Sequence, residues 1–469
     1  MQKIIINNFG AITNAEIEVK KILVLIGEQA SGKSTISKLI YFFKSLKDDL
    51  FSQLYQDTQR NYFDIPSDLI FPVREKFYDF FGSTFHLPNF EIIFFYSVKK
   101  DKYLRLTLDE SKKLYSQFSD NFLNDNFKNS ASKIKRLLQK ELTTSDIYEQ
   151  LAYEQNKIKY AQTLSTLLNE LFESNQTNSL FIIAGRNATI SYSELFEKYL
   201  FASNQSTLEE NRKKTFQLKE QTIDETLMLK FMERIVKIKE VFKKFGDFEG
   251  LIESYAENNS IKENLNHIQL NINKILKGKY INDNRGEKIV FNDNTQEYVY
   301  LSNASSGQQE SIRILQDIFM IFLDNLKVLR IIEEPEAHLF PIAQKQLIEL
   351  LALMVNQNQD NQLIITTHSP YVLTVFNNLL FAKRVVEKNP SADSEVTQII
   401  PKDCWLSAND FSAYSLGNQS ISETTNYCES IFSSEKGTIK QNFLDTVSEI
   451  LGGDFQDLYS IHAQTFARK

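Results

Sequence analysis

Cysteine is almost absent: Cys404 and Cys428 are the only two in 469 residues. So few exclude a disulfide scaffold and a cysteine-rich zinc site, and fit a reducing cytosol. Histidine is nearly as scarce. His86, His267, His338, His368 and His462 form no H-E-x-x-H and no H-x-E with a following C-x-x-C. Basic excess is missing too. The net charge of −7 excludes a chain coated for non-specific nucleic-acid binding, though a local basic groove is compatible with it. No apolar run reaches about 18 residues, so no transmembrane helix is expected. The start, MQKIIINNFG, lacks the charged head and long apolar run of a signal peptide. A cytoplasmic protein without a membrane partner is expected.

What remains is globular: 42% hydrophobic and 24% charged residues argue against wholesale disorder. The length suggests two to four domains at about 100–200 residues each. Residues 2–26 alternate and then run apolar, which predicts two or three strands with Ile22–Ile26 buried. A glycine-bearing loop follows, then a helix pattern. Residues 90–108 and 286–300 read as hairpins. From about 110 to 178 the chain is helix-favouring, with Ile158, Ala161, Leu164, Leu168 and Leu171 at steps of three and four. A short strand, SLFIIAGR, interrupts at 179–186. Helix returns over about 205–276, where Met228, Phe231, Ile235, Ile238, Phe242 and Phe245 form a heptad seam. Barely three heptads make a bundle face the better reading than a long coiled coil. The tail from 385 predicts one strand (VTQIIP) and a terminal helix (NFLDTVSEIL).

Four segments carry chemistry. Gly27-Glu28-Gln29-Ala30-Ser31-Gly32-Lys33-Ser34-Thr35 fits G-x-x-x-x-G-K-[ST] between a buried strand and an amphipathic helix. Its glycines let main-chain N–H groups wrap phosphates at a helix N-terminus; Lys33 reaches the β- and γ-phosphates and Ser34 ligates Mg²⁺. In VLRIIEEPE, an apolar strand ends in acids. Glu333 stands where a metal-binding acid is needed, and Glu334 is the natural general base for the attacking water. Glu336 is either a third metal contact or, more plainly, a first-turn helix acid favoured by the dipole. Ala304-Ser305-Ser306-Gly307-Gln308-Gln309 opens a helix and makes a second anion-binding helix start. In IITTHSP, a buried strand ends on a polar loop with one histidine, His368.

The order of these segments resembles the ABC-type P-loop ATPases of the SMC, RecF and OLD branch. Ser305 and Gly307 fall on the Ser and second Gly of that family's L-S-G-G-Q signature; Ala304 and Ser306 depart from it. Glu333 stands where the family's Walker B element usually has Asp. EEPEAHLFP and TTHSP are especially similar to OLD-type ATPases of bacterial defence systems. The resemblance implies an α/β ABC-type ATPase head built from both chain ends, with a large helical insertion. Residues 1–108 would form the N-terminal part and 277–384 the C-terminal part of the head. The insertion would span 109–276, interrupted by strand 179–186, and 385–469 would be a C-terminal extension.

It further implies ATP and Mg²⁺ as cofactors and a head-to-tail homodimer, or a higher oligomer. Glu334, His368 and Lys33 would be catalytic, with Ser34 and Glu333 on the metal. Gly27, Gln29, Ala30, Ser31, Gly32, Lys33, Ser34 and Thr35 would hold the nucleotide in one subunit, with Ser305, Ser306, Gly307 and Gln308 from its partner. His368 would be the switch histidine. FIIAGR is similar to a strand the family carries in its insertion. Arg186 either approaches the nucleotide or the dimer partner, or is a strand-end arginine paired to a surface acid.

The tail after His368 holds no D-x-D and a single histidine, so no Toprim or HNH nuclease site of its own is expected. A separate effector nuclease of either type would resemble Septu, retron-associated and PARIS antiphage systems, with DNA or a phage component as a further partner. The alternative is a DNA-repair or DNA-end-binding ATPase touching duplex through Lys133–Arg136 or Arg212–Lys214.

Overall fold

The computed structural model describes residues 1–56, 62–123, 125–138, 147–192, 222–255, 259–291, 297–417 and 427–440, with residues 456 and 458. The chain opens with strands β1 (Gln2–Phe9), β2 (Ile12–Val19) and β3 (Ile22–Gly27), then helix α1 (Lys33–Gln56). Helix α2 (Phe71–Phe81) follows, then strands β4 (Glu91–Ser97), β5 (Lys102–Leu108) and β6 (Leu114–Phe118). Together β2-β1-β4-β5-β6 make an antiparallel sheet. Its strands alternate as a one-sided sheet should: Ile4 and Ile6 are buried, and they pair with Ile17 and Ala15.

Helices α3 (Asp125–Leu138) and α4 (Ile147–Phe172) come next, then strand β7 (Asn178–Ile182) and the short helix α5 (Ala188–Ser191). Helices α6 (Ile223–Phe245), α7 (Phe248–Tyr255) and α8 (Asn259–Leu276) lead to a small antiparallel sheet. That sheet holds β8 (Lys279–Asp283), β9 (Gly286–Val290) and β10 (Tyr298–Tyr300). Then come α9 (Ser306–Leu323), β11 (Val328–Glu333), α10 (Pro341–Gln357), β12 (Gln362–Thr367), α11 (Pro370–Lys388) and α12 (Asp393–Ile399). Strands β13 (Phe411–Leu416) and β14 (Cys428–Ser430) complete the main sheet.

The main sheet has the order β14-β13-β3-β12-β11-β7. All its pairs are parallel except β13 with β14. Parallel strands covered on both faces read as continuous apolar runs, and β11 and β12 are buried at every position. Helix α1 packs between the two large sheets. It buries Ile36, Leu39, Ile40, Phe42 and Phe43 completely, with Phe43 stacked on Phe94 of β4 at 5.0 Å. Each such side chain contributes about 1.5–3 kcal/mol, so the helix that follows the glycine loop is anchored against sliding. The fold is the α/β P-loop ATPase fold expected from the sequence.

Several local expectations are corrected. Leu114–Phe118 lies in the stretch that reads as helix, yet it is strand β6, because the open edge of β5 is there to pair with and Leu114 and Ser116 point inward. VTQII is not a strand but most of helix α12, whose first turn holds Asp393 and Glu395, acids that favour a helix start. Strands β8 and β13 went unforeseen. Strand β13 (FSAYSL) lies between the two elements expected in the tail, and all six of its residues are buried beside β3. Its serines are accommodated by bonds such as Ser412 Oγ to the Glu18 carbonyl at 2.8 Å. Strand β7 lies within the expected insertion and is the edge strand beside β11. The heptad seam is indeed a packing face of α6: Phe231, Ile235, Ile238 and Phe242 are buried, and Phe242 packs edge-on to Phe248 and Tyr280. The predicted helical residues 205–221 and 256–258, the terminal helix at 442–451 and the basic run at 212–214 lie outside the described residues.

Candidate active site

The parallel register brings four strand ends to one edge. Thr367 of β12 aligns with Ile26 of β3, Glu333 of β11 with Thr366, and Leu416 of β13 with Gly27. Ligands of open α/β sheets bind at this carboxyl edge.

The glycine loop spans from Gly27 to the first residue of α1. Ala30 (φ 60°) and Gly32 (φ 77°) are both left-handed, a curl that turns successive N–H groups toward one point. Glycine is required at two places for space. A Cβ at Gly27 would lie 2.4 Å from the Leu416 carbonyl oxygen, and one at Gly32 would lie 2.8 Å from Ile12. Gln29 and Ala30 are exposed, Thr35 half-buried. Lys33 is buried, and its Nζ donates to the carbonyls of Gly27 (2.8 Å) and Glu28 (2.7 Å) and to Ser31 Oγ (3.4 Å). Burial lowers the Lys33 pKa, while Glu334, Glu336 and Glu333 pull it back up. Tyr427 Oη, from beyond β13, donates to the Ser31 carbonyl at 2.6 Å.

The Ser34 side chain lies beside the Glu333 carboxylate at the strand ends and acts to lower its pKa. Glu333 is buried; one oxygen accepts from the Ala184 N–H at 3.4 Å and the other, Oε1, is buried with no hydrogen-bond partner among the described residues. Burial raises its pKa. An orphaned carboxylate oxygen beside a serine hydroxyl is a hard-oxygen donor set, which fits Mg²⁺. Glu336 is a correction. It is not a first-turn helix acid, since α10 starts only at Pro341. It is buried in the turn after β11, where its Oε1 accepts from Thr367 Oγ1 and from the His368 N–H (3.1 Å). Burial raises its pKa as well.

Glu334 takes a left-handed backbone (φ 44°), with its N–H bonded to the Thr366 carbonyl at 2.9 Å. This lifts its side chain to the surface, where Oε1 lies 3.2 Å from His368 Nε2. Arg186 is placed differently from the expectation that it touches nucleotide or a partner chain. It is fully buried. Its guanidinium donates to the main-chain carbonyls of Ile183 (3.0 Å), Glu310 (3.1 Å), Glu333 (2.6 Å) and Glu334 (2.9 Å), and it pairs with the Glu310 carboxylate at 3.2 Å. A strand-end arginine on a surface acid is equally far from what is found, because Glu310 is buried too. Desolvation lowers the Arg186 pKa, and the ring of glutamates, Glu310 first, opposes it.

Ser305 is the N-cap of α9, in a capping box: the Gln308 N–H donates to Ser305 Oγ (3.4 Å), and the Ser305 N–H donates to Gln308 Oε1 (3.1 Å). Gln308 Nε2 also ties this helix start to the Leu276 carbonyl at 2.7 Å. Ser305 and Ser306 are exposed. A Cβ at Gly307 would lie 2.6 Å from the His338 carbonyl oxygen, so glycine lets this helix start abut the turn after β11. Among the described residues, no hydrogen bond joins residues 305–307 to the glycine loop.

The structure therefore gathers Gly27–Ser34, Glu333, Glu334 and His368 at one edge, keeps Ser305–Gln308 on an exposed helix start, and withdraws Arg186 into the core. Sequence reasoning missed Tyr427, whose flanking residues carry no motif, and undervalued Glu336, which the E-x-x-x-x-P spacing before α10 leaves too early for a helix.

The family model described as AAA ATPase domain matches residues 1–373. No curated protein matches the sequence. Among solved structures, the chain is similar to the SMC head domain from Thermotoga maritima, at 10% identity over 80% of this chain and 90% of that one, with a TM-score of 0.33. It is also similar to the Pyrococcus furiosus Smc head domain with an extended coiled coil, bound to the C-terminal domain of ScpA (12%, 80% and 92%, 0.32). A third is the recombination mediator protein RecF of the RecFOR pathway (12%, 78% and 92%, 0.27).

Proposed function

The chain belongs to the AAA ATPase domain family, and from that premise we propose that it is an ATP-gated homodimer which hydrolyses ATP and controls a separate effector nuclease in antiphage defence. The observation that carries the ATPase reading is the Glu334–His368 pair at 3.2 Å, on the same sheet edge as the glycine loop.

In this reading the N–H groups of residues 27–34 and the Lys33 ammonium hold the β- and γ-phosphates. Ser34 and Glu333 hold Mg²⁺, which supplies positive charge against the phosphate oxygens. Glu334 accepts the proton of the attacking water, and His368 fixes its carboxylate and meets the γ-phosphate. Ser305, Ser306, Gly307 and Gln308 present an exposed, positively polarised helix start to the nucleotide of a second copy. The γ-phosphate then joins two heads, and its loss parts them, a two-state element of the kind ATP switches use.

The defence role rests on the likeness of EEPEAHLFP and TTHSP to OLD-type ATPases. The duplex-binding alternative loses part of its footing: in the run 133–136, Lys135 is buried against Asp68 at 3.3 Å and is not free for phosphates.

Complementation tests the shared site. Lys33→Ala and Ser305→Arg chains are each expected to lack turnover, while their mixture regains about a quarter to a half of it through one intact composite site. Full activity of Ser305→Arg alone refutes sharing. Protection of cells against phage, only when the chain is expressed with an adjacent nuclease frame, tests the defence role; salt-dependent duplex binding by the chain alone would favour DNA repair instead.

A further inference from the structure

The β7–β11 ladder stops just short of the site. Its last pair is Ile182 with Ile332, so Ile183 and Glu333 lie beyond it. Buried carbonyls left without a donor are costly, and Arg186 supplies the donors here. Its Nη1 bridges the Ile183 carbonyl (3.0 Å) and the Glu333 carbonyl (2.6 Å), and its Nη2 goes on to the Glu334 carbonyl at 2.9 Å. The guanidinium thus continues the ladder past the end of β7. A point-like ammonium does not span acceptors fanned out in this way.

What the arginine holds is the turn that carries the proposed base. Glu334 has φ 44°, a conformation that a residue with a Cβ keeps only where its surroundings impose it. Its N–H is tied to the Thr366 carbonyl (2.9 Å), and its own carbonyl accepts from the Ala337 N–H (3.0 Å) and from Arg186 Nη2. Glu333, by contrast, is also held within the sheet by its register with Thr366. The arginine is itself seated by α9. Its Nε donates to the Glu310 main-chain carbonyl at 3.1 Å. The buried Glu310 carboxylate accepts from the main-chain N–H groups of Arg186 (3.0 Å) and Asn187 (3.3 Å). Glu310 lies on the same helix that Ser305 caps, about one and a half turns further on. An unbroken run of bonds therefore leads from the exposed start of α9 to Glu334.

We propose that Arg186 is a positioning residue: seated on α9 by Glu310, it fixes the left-handed turn at Glu334 and so holds that carboxylate against His368. The inference rests on the reading of Glu334 as general base. It adds that the base is set from the helix whose start meets the nucleotide of a second copy. Arg186 touches no nucleotide in this role, so its loss slows chemistry and leaves binding intact.

The test compares Arg186→Lys and Glu310→Gln, each alone and each combined with Glu334→Gln. Turnover at saturating ATP and affinity for a non-hydrolysable ATP analogue are both measured. Arg186→Lys should lower kcat about 10- to 100-fold, the scale of a reacting group misplaced by about 1 Å. Glu310→Gln should lower it about 3- to 10-fold, as for one weakened hydrogen bond. Analogue affinity should stay within about 2-fold of the wild type in both, as expected where only the transition state is affected. In the Glu334→Gln background both changes should slow the residual turnover by less than about 2-fold, because the group they position is gone. A merely structural role would lower turnover equally in both backgrounds. Glu310→Gln keeps the size of the side chain and decides the matter where Arg186→Lys does not fold. Losses that multiply with Glu334→Gln, or an unchanged kcat in Glu310→Gln, overturn the positioning role. Glu334→Gln chains as fast as the wild type would instead refute the base reading itself.

Discussion

Glu334 Oε1 and His368 Nε2 lie 3.2 Å apart, although they come from the ends of different strands. The contact depends on register. Glu333 pairs with Thr366, and the left-handed turn at Glu334 bonds back to the Thr366 carbonyl, so the two loops leave the sheet together. Glu336 ties them a second time, through Thr367 and the His368 N–H. The proposed general base and the proposed sensor are thereby one unit.

A unit of this kind predicts non-additive kinetics. Glu334→Gln should retain nucleotide binding and slow turnover by about 10²- to 10⁴-fold. His368→Ala should slow it less, and the double variant should be no slower than Glu334→Gln alone. Steady-state phosphate release from the three variants checks this. Multiplying losses would mean that the two residues act independently.

Arg186 predicts a stability effect where a nucleotide ligand would give an affinity effect. Its guanidinium joins the Ile183 carbonyl just past β7, the Glu310 carbonyl of α9 and the two carbonyls of Glu333 and Glu334. Arg186→Met leaves the buried Glu310 carboxylate unpaired, which should cost roughly 3–5 kcal/mol in urea unfolding. Arg186→Met with Glu310→Gln should recover part of that loss. Unchanged stability with weakened ATP binding would return Arg186 to the nucleotide.

The contrast between these residues explains what could be read from the sequence. The phosphate loop, Glu333, Glu334 and His368 were legible because main-chain wrapping of phosphates and strand-end acids demand fixed residue types at fixed spacing. Arg186 carried the same local signal as a ligand arginine; only the three-dimensional closure of β7 on β11 shows that its partners are carbonyls. Strand β13 was illegible because burial of Ser412 and Ser415 is allowed by hydrogen bonds to chain some 390 residues away, as Ser412 shows with Glu18. With β13 went Tyr427, which reaches the glycine loop across the same distance in sequence.

That contact makes Tyr427 a test of how the loop is held. Removing its hydroxyl leaves the Ser31 carbonyl to find another donor inside a buried wall, at a cost of about 1–3 kcal/mol. The Tyr427→Phe ring keeps the rest of this buried side chain in place and gives up only the hydroxyl, which lies beside both Ser31 and Gly32. ATP affinity by calorimetry should fall several-fold while turnover of the saturated enzyme changes little. A fall in turnover with affinity intact would show that the tyrosine serves chemistry rather than the loop.

Lys44, buried in α1, gives a pH signature for the apo protein. Its folded pKa is about 7, below the ordinary 10.5. Between those values the unfolded chain carries a proton that the folded chain lacks, so stability rises with pH across roughly 7 to 10.5. Below 7 both states are protonated, and the full penalty of burying the charge is felt. Lys20, Lys21, Glu173, Asp360 and Asp410 line a cavity beside Lys44, and Lys47 acts on it as a like charge; burial lowers Lys21 and Lys47 as well, so the comparison with a Lys44 variant isolates the Lys44 part of the rise. Lys44→Met should therefore be more stable than the wild type at pH 7 and should flatten the rise between pH 7 and 9, measured by urea unfolding. A wild-type curve already flat there would mean that Lys44 is charged and paired in the folded chain.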